Sequence, residues 1–278
     1  MIGIYAGEGA SHSWTWFVTV MERLGTRDFT FLKADDLRRD NLSRLRAILI
    51  GGGDVEAMAR ELGEEGARGL EGFVHAGGVY LGSCAGAYLV MRDIDLPPYT
   101  PFELIDAGVA NYLPEPPPPL QLPHKYKVAY GDGFIFHPAY GPVRVGLEEG
   151  SFLATLGEVT AALYGGPVIV PGEASERLAV YRGLDKGCLP LVEGPLLEEM
   201  MLGTCAAARQ HCGEGRVYIC GPHFECPYFP AGGGVLRGIL EEENIYKVSD
   251  NSQAARVKPG RGPRRSRPAE AGELSDTL

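Results

Sequence analysis

With 278 residues, 45% of them hydrophobic, the chain is long enough for one large α/β domain, or two small ones, with a sizeable core. A formal net charge of −10 argues against nucleic acid as a partner, because neutralising phosphates needs a basic surface. No apolar stretch approaches the roughly 20 residues of a membrane helix, and Met1-Ile2-Gly3-Ile4-Tyr5 opens on a strand pattern instead of a basic leader, so a cytoplasmic protein without membrane contact is expected.

Ile2-Gly3-Ile4-Tyr5 reads as a first strand, followed by the small-residue loop Ala6-Gly7-Glu8-Gly9-Ala10-Ser11. Ser11 or Ser13 caps a helix on which Trp14, Phe17, Val18, Met21 and Leu24 recur at helical spacing, which assigns these aromatics to the core. Phe29-Thr30-Phe31-Leu32 and Ala47-Ile48-Leu49-Ile50 are short, continuously apolar runs, the pattern of buried parallel strands, with residues 33–37 between them as a loop or short helix. After Gly51-Gly52-Gly53-Asp54 come a helical region with Val55, Met58, Ala59 and Leu62, then a second helix with Leu70, Phe73 and Val74 that stops at Gly77-Gly78. Alternation of strand and helix through residue 91 predicts an α/β fold, a doubly wound, mostly parallel sheet flanked by helices in the flavodoxin-like manner. In such a sheet the site lies at the carboxyl ends of the strands, where the loops 7–11 and 51–54 and Cys84 should converge.

Residues 92–142 form a proline-rich insertion. Pro114-Glu115-Pro116-Pro117-Pro118-Pro119 excludes helix and central strand and reads as a polyproline II surface loop. Residues 105–109 and 134–136 read as short strands beside it. His124 and His137 fall in the same region, and with no acid at a useful spacing each reads as a solvated or structural imidazole. Leu178-Ala179-Val180-Tyr181 is a further strand, and Gly213-Glu214-Gly215 the turn of a hairpin that enters a strand at residues 216–220. Residues 248–278 combine Pro, Arg, Gly and Ser with an acidic end, a composition that cannot bury a core; a disordered tail is expected there, leaving residues 1–247 as the domain.

The chemistry centres on Val79-Tyr80-Leu81-Gly82-Ser83-Cys84-Ala85-Gly86-Ala87-Tyr88, an apolar strand broken by a small-residue turn that reopens as a helix. A thiol at such an elbow projects beyond the carboxyl end of the strand, and Gly82 and Gly86 relieve contacts that a Cβ would make. Unpaired amides and the positive end of the next helix favour thiolate and can cradle an oxyanion. Far downstream, Arg216-Val217-Tyr218-Ile219-Cys220 runs into Gly221-Pro222-His223-Phe224-Glu225, where alternation in an extended segment puts His223 and Glu225 on one side. The carboxylate can then orient the imidazole, and the imidazole can take the thiol proton. The six cysteines form no C-x-x-C pair, and Cys205, His211, Cys212, Cys220, His223 and Cys226 match no standard zinc spacing; reduced thiols, no metal and no cofactor are expected.

The elbow, the Gly51-Gly52-Gly53-Asp54 loop before it and the late His-x-Glu together resemble the class I glutamine amidotransferase-like superfamily. Ile4 to Ser11, Leu49 to Asp54, Gly77 to Tyr88, Leu163-Tyr164-Gly165-Gly166-Pro167 and Gly221 to Glu225 bring the likeness nearest to the amino-terminal domain of biotin-protein ligases, as a stand-alone relative. The resemblance implies Cys84 as nucleophile, His223 as base and later acid, and Glu225 as orienter. It implies backbone amides of Gly53 and Ala85 at the oxyanion, with Gly52, Asp54, Tyr164 and Gly165 completing the oxyanion and substrate-binding set. The sequence departs from the family pattern at Phe224, where Pro is usual, and at Tyr164-Gly165-Gly166, which lacks the Asn common after the Tyr. The expected function is that of a Cys-His-Glu amidase or amidotransferase-like hydrolase acting on the carbon–nitrogen bond of a small-molecule amide, without a ligase domain and with a synthase or ligase as a possible partner protein. The alternative is a non-catalytic ligand-binding or regulatory module that keeps the crevice.

Overall fold

The structure, a computed structural model, describes residues 1–38, 42–92, 102–113, 127–130 and 133–246. Contacts group Met1–Tyr246 into one unit. The expected tail and the Pro114 to Pro119 run lie outside the described residues, as does His124.

The chain runs β1 (Ile2–Tyr5), α1 (Trp14–Arg23), β2 (Phe29–Leu32), α2 (Ala34–Arg38), β3 (Ala47–Ile50), α3 (Val55–His75), β4 (Val79–Ser83) and α4 (Ala85–Tyr88). Short strands β5 (Ala107–Val109), β6 (Tyr112–Leu113), β7 (Lys127–Tyr130) and β8 (Gly133–Phe136) follow. Then come β9 (Ala139–Leu147), β10 (Glu158–Leu163), β11 (Ile169–Pro171), β12 (Glu176–Leu184), β13 (Leu189–Pro190), α5 (Gly194–Met200), β14 (Cys205–Cys212), β15 (Gly215–Cys220) and α6 (Gly233–Glu242).

The main sheet has the order β10-β9-β12-β14-β15-β4-β3-β1-β2. From β2 to β15 neighbouring strands are parallel, and beyond β15 they are antiparallel. The expected winding is thus present in one half, and a run of antiparallel strands continues it. Cys205 to Cys212 is strand, paired across the Gly213-Glu214 turn with Cys212 opposite Gly215, as the hairpin reading requires. Strands β6, β8 and β7 form a separate antiparallel ribbon.

Burial on both faces follows from period-two alternation in apolar runs. Ile48 and Ile50 pack with Tyr80, Val217, Leu62 and Leu70 of the α3 side. Ala47 and Leu49 pack with Leu81, Tyr218, Phe17 of α1 and Ile239 of α6 on the other. The two helices that follow β1 and β3 therefore cover opposite faces, and the winding direction reverses between those strands. Loops leaving their carboxyl ends must part there and open a crevice.

One close approach sets the shape of that crevice. A Cβ on Gly82 would lie 2.2 Å from the Gly86 carbonyl oxygen, and one on Gly86 would lie 2.1 Å from that of Ile50. Gly86 N donates to Gly51 O at 3.0 Å, so the turn after β4 is fastened to the end of β3 by backbone alone. Gly86→Ala should destabilise the protein by about 1–3 kcal/mol through backbone overlap. Thermal melts would read this as a drop of roughly 2–4 °C per kcal/mol; an unchanged Tm would refute the packing account.

Candidate active site

Cys84 occupies the elbow with φ 53 and ψ −113. Among the described residues it and Asn244 are the only non-glycine positions with positive φ, a costly conformation that here turns the side chain off the end of β4. Its amide is held by Cys220 O at 3.0 Å, tying the elbow to the end of β15. The helix that follows is a single turn, so the dipole expected from the sequence is that of one turn only, and the nearby groups carry the electrostatics instead.

Those groups arrive from β15. His223 Nδ1 and Glu225 Oε1 are 2.7 Å apart, with the two residues 3% and 0% exposed. The path differs from the extended alternation read in the sequence: β15 ends at Cys220, His223 forms an isolated bridge with Ala162, and Phe224 and Glu225 lie in a turn. His223 N donates to Ala162 O at 2.7 Å, and Phe224 fills the core beneath. Ser83 Oγ donates to Glu225 Oε1 at 2.5 Å, whereas Oε2 has no partner among the described residues. Trp16 sets its ring edge-on to His223 at 5.3 Å and 84°.

With Nδ1 committed to Glu225, Nε2 is left for the sulfur. A Cβ on Gly52 would fall 3.2 Å from His223 Nε2 and 3.5 Å from Cys84 Sγ, so both reactive atoms border the space that the missing side chain leaves. Burial alone would depress the imidazole, but the Glu225 carboxylate and then Cys84 push it well above its ordinary value, towards imidazolium.

The remaining predicted residues divide. Gly52 N donates to Ser13 Oγ at 2.9 Å, so its amide is already used and cannot serve an oxyanion; its contribution is the absence of a side chain. Ser13, read as a helix cap, makes no cap bond and serves this loop instead. Gly53 has φ 151, and a Cβ there would meet Gly9 O at 2.0 Å. The amides of Gly53 and Ala85 are claimed by no backbone carbonyl among the described residues. Asp54 caps α3, accepting from Ala57 N at 3.0 Å, and borders the crevice. Tyr164 brings its carbonyl oxygen to 3.9 Å from Cys84 Sγ. Gly53, Asp54, Cys84, Ala85, Tyr164 and Gly165 all line one cavity of about 300 Å³.

Sequence reading missed Ser83 and Trp16; of the two readings given for His137, solvated or structural, the structure shows the buried one, on the wall of the same cavity. Ser83 could have been suspected from its place beside the nucleophile. Trp16 adjoins Phe17 but lies outside the helical spacing of Trp14, Phe17, Val18, Met21 and Leu24, and nothing local marks His137. Among the described residues no three of His, Cys, Asp and Glu gather as a metal-holding group, and no helix is long and apolar enough to cross a membrane.

Residues 1–99 match the family model for the amino-terminal part of biotin-protein ligase, a match that ends before Tyr164 and His223. A glutamine amidotransferase crystal structure superposes with a TM-score of 0.56 at 17% identity, covering 87% of this chain and 98% of that one. A structure described as a GMP synthase subunit from Thermoplasma acidophilum gives 0.53 at 14%, covering 88% and 96%. The chain has the glutamine amidotransferase-like fold. A β-galactosidase from Rahnella sp. R3 also matches, at 0.55 and 13%, covering 88% of this chain and 31% of that one, so the fold occurs beside other chemistry. No curated protein matches the chain.

The His223–Glu225 contact has a pH signature. A raised imidazole value contributes stability that is full below the ordinary 6.5 and is lost as pH rises through the elevated value. In Glu225→Gln the main support of the charged ring is gone, leaving burial, which disfavours it, opposed only by the smaller effect of Cys84. The stability gap between wild type and Glu225→Gln should therefore be widest at acidic pH and narrow towards alkaline pH. Melts across about pH 5.5 to 9 test this, and a gap that is constant over that range contradicts it.

Proposed function

We propose that the protein is a cysteine-dependent hydrolase of small amides, with Cys84 as nucleophile, His223 as base and later acid, Glu225 as the group that orients His223, and the amides of Gly53 and Ala85 as oxyanion donors. The observation that carries this reading is the convergence of Cys84 Sγ and His223 Nε2 on the space beside Gly52, with Glu225 behind the ring.

In the first half-reaction Cys84 Sγ forms a bond to the amide carbon while His223 takes or already holds the thiol proton. The developing oxyanion lies against the two amides, and His223 passes its proton to the leaving nitrogen as the C–N bond breaks, releasing ammonia or an amine and leaving a thioester. A water then attacks the thioester, giving its proton to His223. The carboxylic acid leaves, and the proton returns to sulfur. Glu225 stabilises the imidazolium at both stages. A cavity of about 300 Å³ suits a substrate of amino-acid size. A cytoplasmic setting agrees with six free thiols. A synthase or ligase that consumes the ammonia is the partner class this chemistry calls for, as the likeness to a GMP synthase subunit suggests.

An electrophilic glutamine mimic should label Cys84 in preference to the other five thiols, mapped by peptide mass spectrometry. Cys84→Ser should lower amide hydrolysis by roughly a thousandfold. Gly52→Ala, whose methyl group would lie 2.7 Å from His223 Cε1 and so displace the ring from Cys84, should cost about a hundredfold. Label spread evenly over the six thiols, or biological activity intact in Cys84→Ser, would favour a ligand-binding module instead.

A further inference from the structure

The chemistry proposed above fixes where each part of a substrate lies. With the carbonyl oxygen against the Gly53 and Ala85 amides and the carbon on Cys84 Sγ, the leaving nitrogen must come within reach of His223, which supplies its proton. The acyl chain then takes the cavity on the other side of Sγ, whose described lining does not include His223. A substituent on the nitrogen runs along the His223 side instead. The acyl side offers about 300 Å³, and its far wall is braced by Asn111. Asn111 Nδ2 donates to Tyr88 Oη at 2.9 Å and to Phe136 O at 3.0 Å, and Oδ1 accepts from Val168 N at 2.8 Å, framing the His137 ring that packs on Gly165.

The His223 side is built of aromatic rings. Trp16 stands edge-on to the imidazole at 5.3 Å, the Tyr164 ring lies 6.1 Å from it at 41°, and Trp16 and Tyr164 are 6.4 Å apart. Both are only half-buried. Tyr164 also belongs to the acyl side, since it lines that cavity and brings its carbonyl oxygen to 3.9 Å from Cys84 Sγ. Outward from these rings, Tyr140 packs on Tyr164 at 4.9 Å and 48°, and β13 sets Leu189 opposite Tyr140. Burial, then Cys226, Tyr140 and Tyr228, hold the Tyr164 phenol above its ordinary value, which places Tyr228 at the same spot. Tyr140, Leu189 and Tyr228 are 40%, 49% and 76% exposed, and they are three of the five large hydrophobic side chains exposed among the described residues. Single exposed apolar side chains are ordinary, whereas three gathered about one ring beside the reacting sulfur form a patch.

We infer that the substrate is a secondary amide whose nitrogen carries an aromatic group seated on the rings of Trp16, Tyr164, Tyr140 and Tyr228, so that the C–N cleavage releases an arylalkyl amine. The inference rests on Cys84 and His223 acting as proposed above, and of the two leaving groups allowed there it selects the amine. Ammonia would leave these ring faces in water, whereas an aromatic substituent covers them and holds the nitrogen under His223 from its far side. The step balances as before: the C–N bond breaks, the His223 proton goes to nitrogen, the amine departs and the thioester remains. In reverse, an amine seated on the rings attacks the thioester, gives a proton to His223 and re-forms the amide as sulfur leaves.

That reverse step can be measured without knowing the acyl group. The full chain is acetylated with p-nitrophenyl acetate, freed of reagent and checked for acetyl-Cys84 by peptide mass spectrometry. It then meets equal concentrations of phenethylamine and propylamine, and the two N-acetylamines are quantified. Their ratio is compared with the ratio the same amines give with S-acetylglutathione, which removes the difference in intrinsic nucleophilicity. The wild-type ratio should exceed that reference by about tenfold or more, with saturation in phenethylamine. Tyr228→Ser alters a side chain three-quarters exposed and should lower the ratio by about threefold; adding Tyr140→Ser should bring it to within about twofold of the reference. If the double variant does not fold, Tyr228→Ser alone decides. A wild-type ratio equal to the reference, no capture of phenethylamine, or a ratio that Tyr228→Ser leaves unchanged overturns the inference while leaving the nucleophile in place; a patch that serves a protein partner gives that result. Absence of acetyl from Cys84 removes the hydrolase reading itself.

Discussion

The 2.7 Å contact between His223 Nδ1 and Glu225 Oε1 is made where neither partner can fall back on water. A carboxylate with 0% exposure is tolerable only beside a cation or several donors, and Glu225 has the imidazole and the Ser83 hydroxyl. That requirement ties two elements together: Ser83 ends β4 and Glu225 lies beyond β15, and the two strands are neighbours in the parallel half. The same bond fixes the tautomer and tilt of the ring, and so where Nε2 points. Trp16 closes the remaining side from α1, so the ring is confined from three elements before any substrate enters.

Around this pair the chain relies on backbone approaching backbone. Glycines 82 and 86 let the end of β3 and the elbow touch, and the loop at Gly53 meets the loop after β1 through the Asp54 N to Gly9 O bond of 2.8 Å. The consequence for chemistry is rigidity. The amides of Gly53 and Ala85 belong to segments held by main-chain bonds, so an oxyanion formed in the proposed reaction would meet donors already in position. The strain of Cys84 at φ 53 is tolerable for the same reason, since the bond from its amide to Cys220 O holds it there.

Much of this was legible in the sequence where the signal is local. The apolar runs of β1, β3 and β4, the small residues at the elbow and the Gly213-Glu214 hairpin each depend on neighbours within a few positions, and each reading holds. The antiparallel half was seen only in fragments, because its strands are half-buried, broken by bulges between Arg177 and Val180, and paired across long separations. In the site, His223 and Glu225 were visible as a pair, but the turn that joins them was not, since Gly-Pro marks a break without fixing the path of the chain beyond it. The diversion of Ser13 from helix cap to loop brace, and the frame that Asn111 builds around His137, depend on residues 23 to 57 positions apart. No window of sequence contains such pairs.

The two sides of the cavity have different origins, and this bears on how such a fold can change substrates. The corner of Cys84, His223 and Glu225 is fastened to the parallel half, where a shift of one strand would displace the proposed nucleophile. The opposite wall, with His137 and Asn111, comes from the β6–β8 ribbon and its flanks, joined to the reactive corner mainly through the Asn111 bonds to Tyr88 and Val168. Residues on that wall can be exchanged at the cost of a few hydrogen bonds, whereas the corner tolerates little. Under the proposed function, such a division would let the corner keep its geometry while the opposite wall changes. Gly165 is the residue against which His137 packs, so a side chain at that position would compete directly with the ring for the cavity wall.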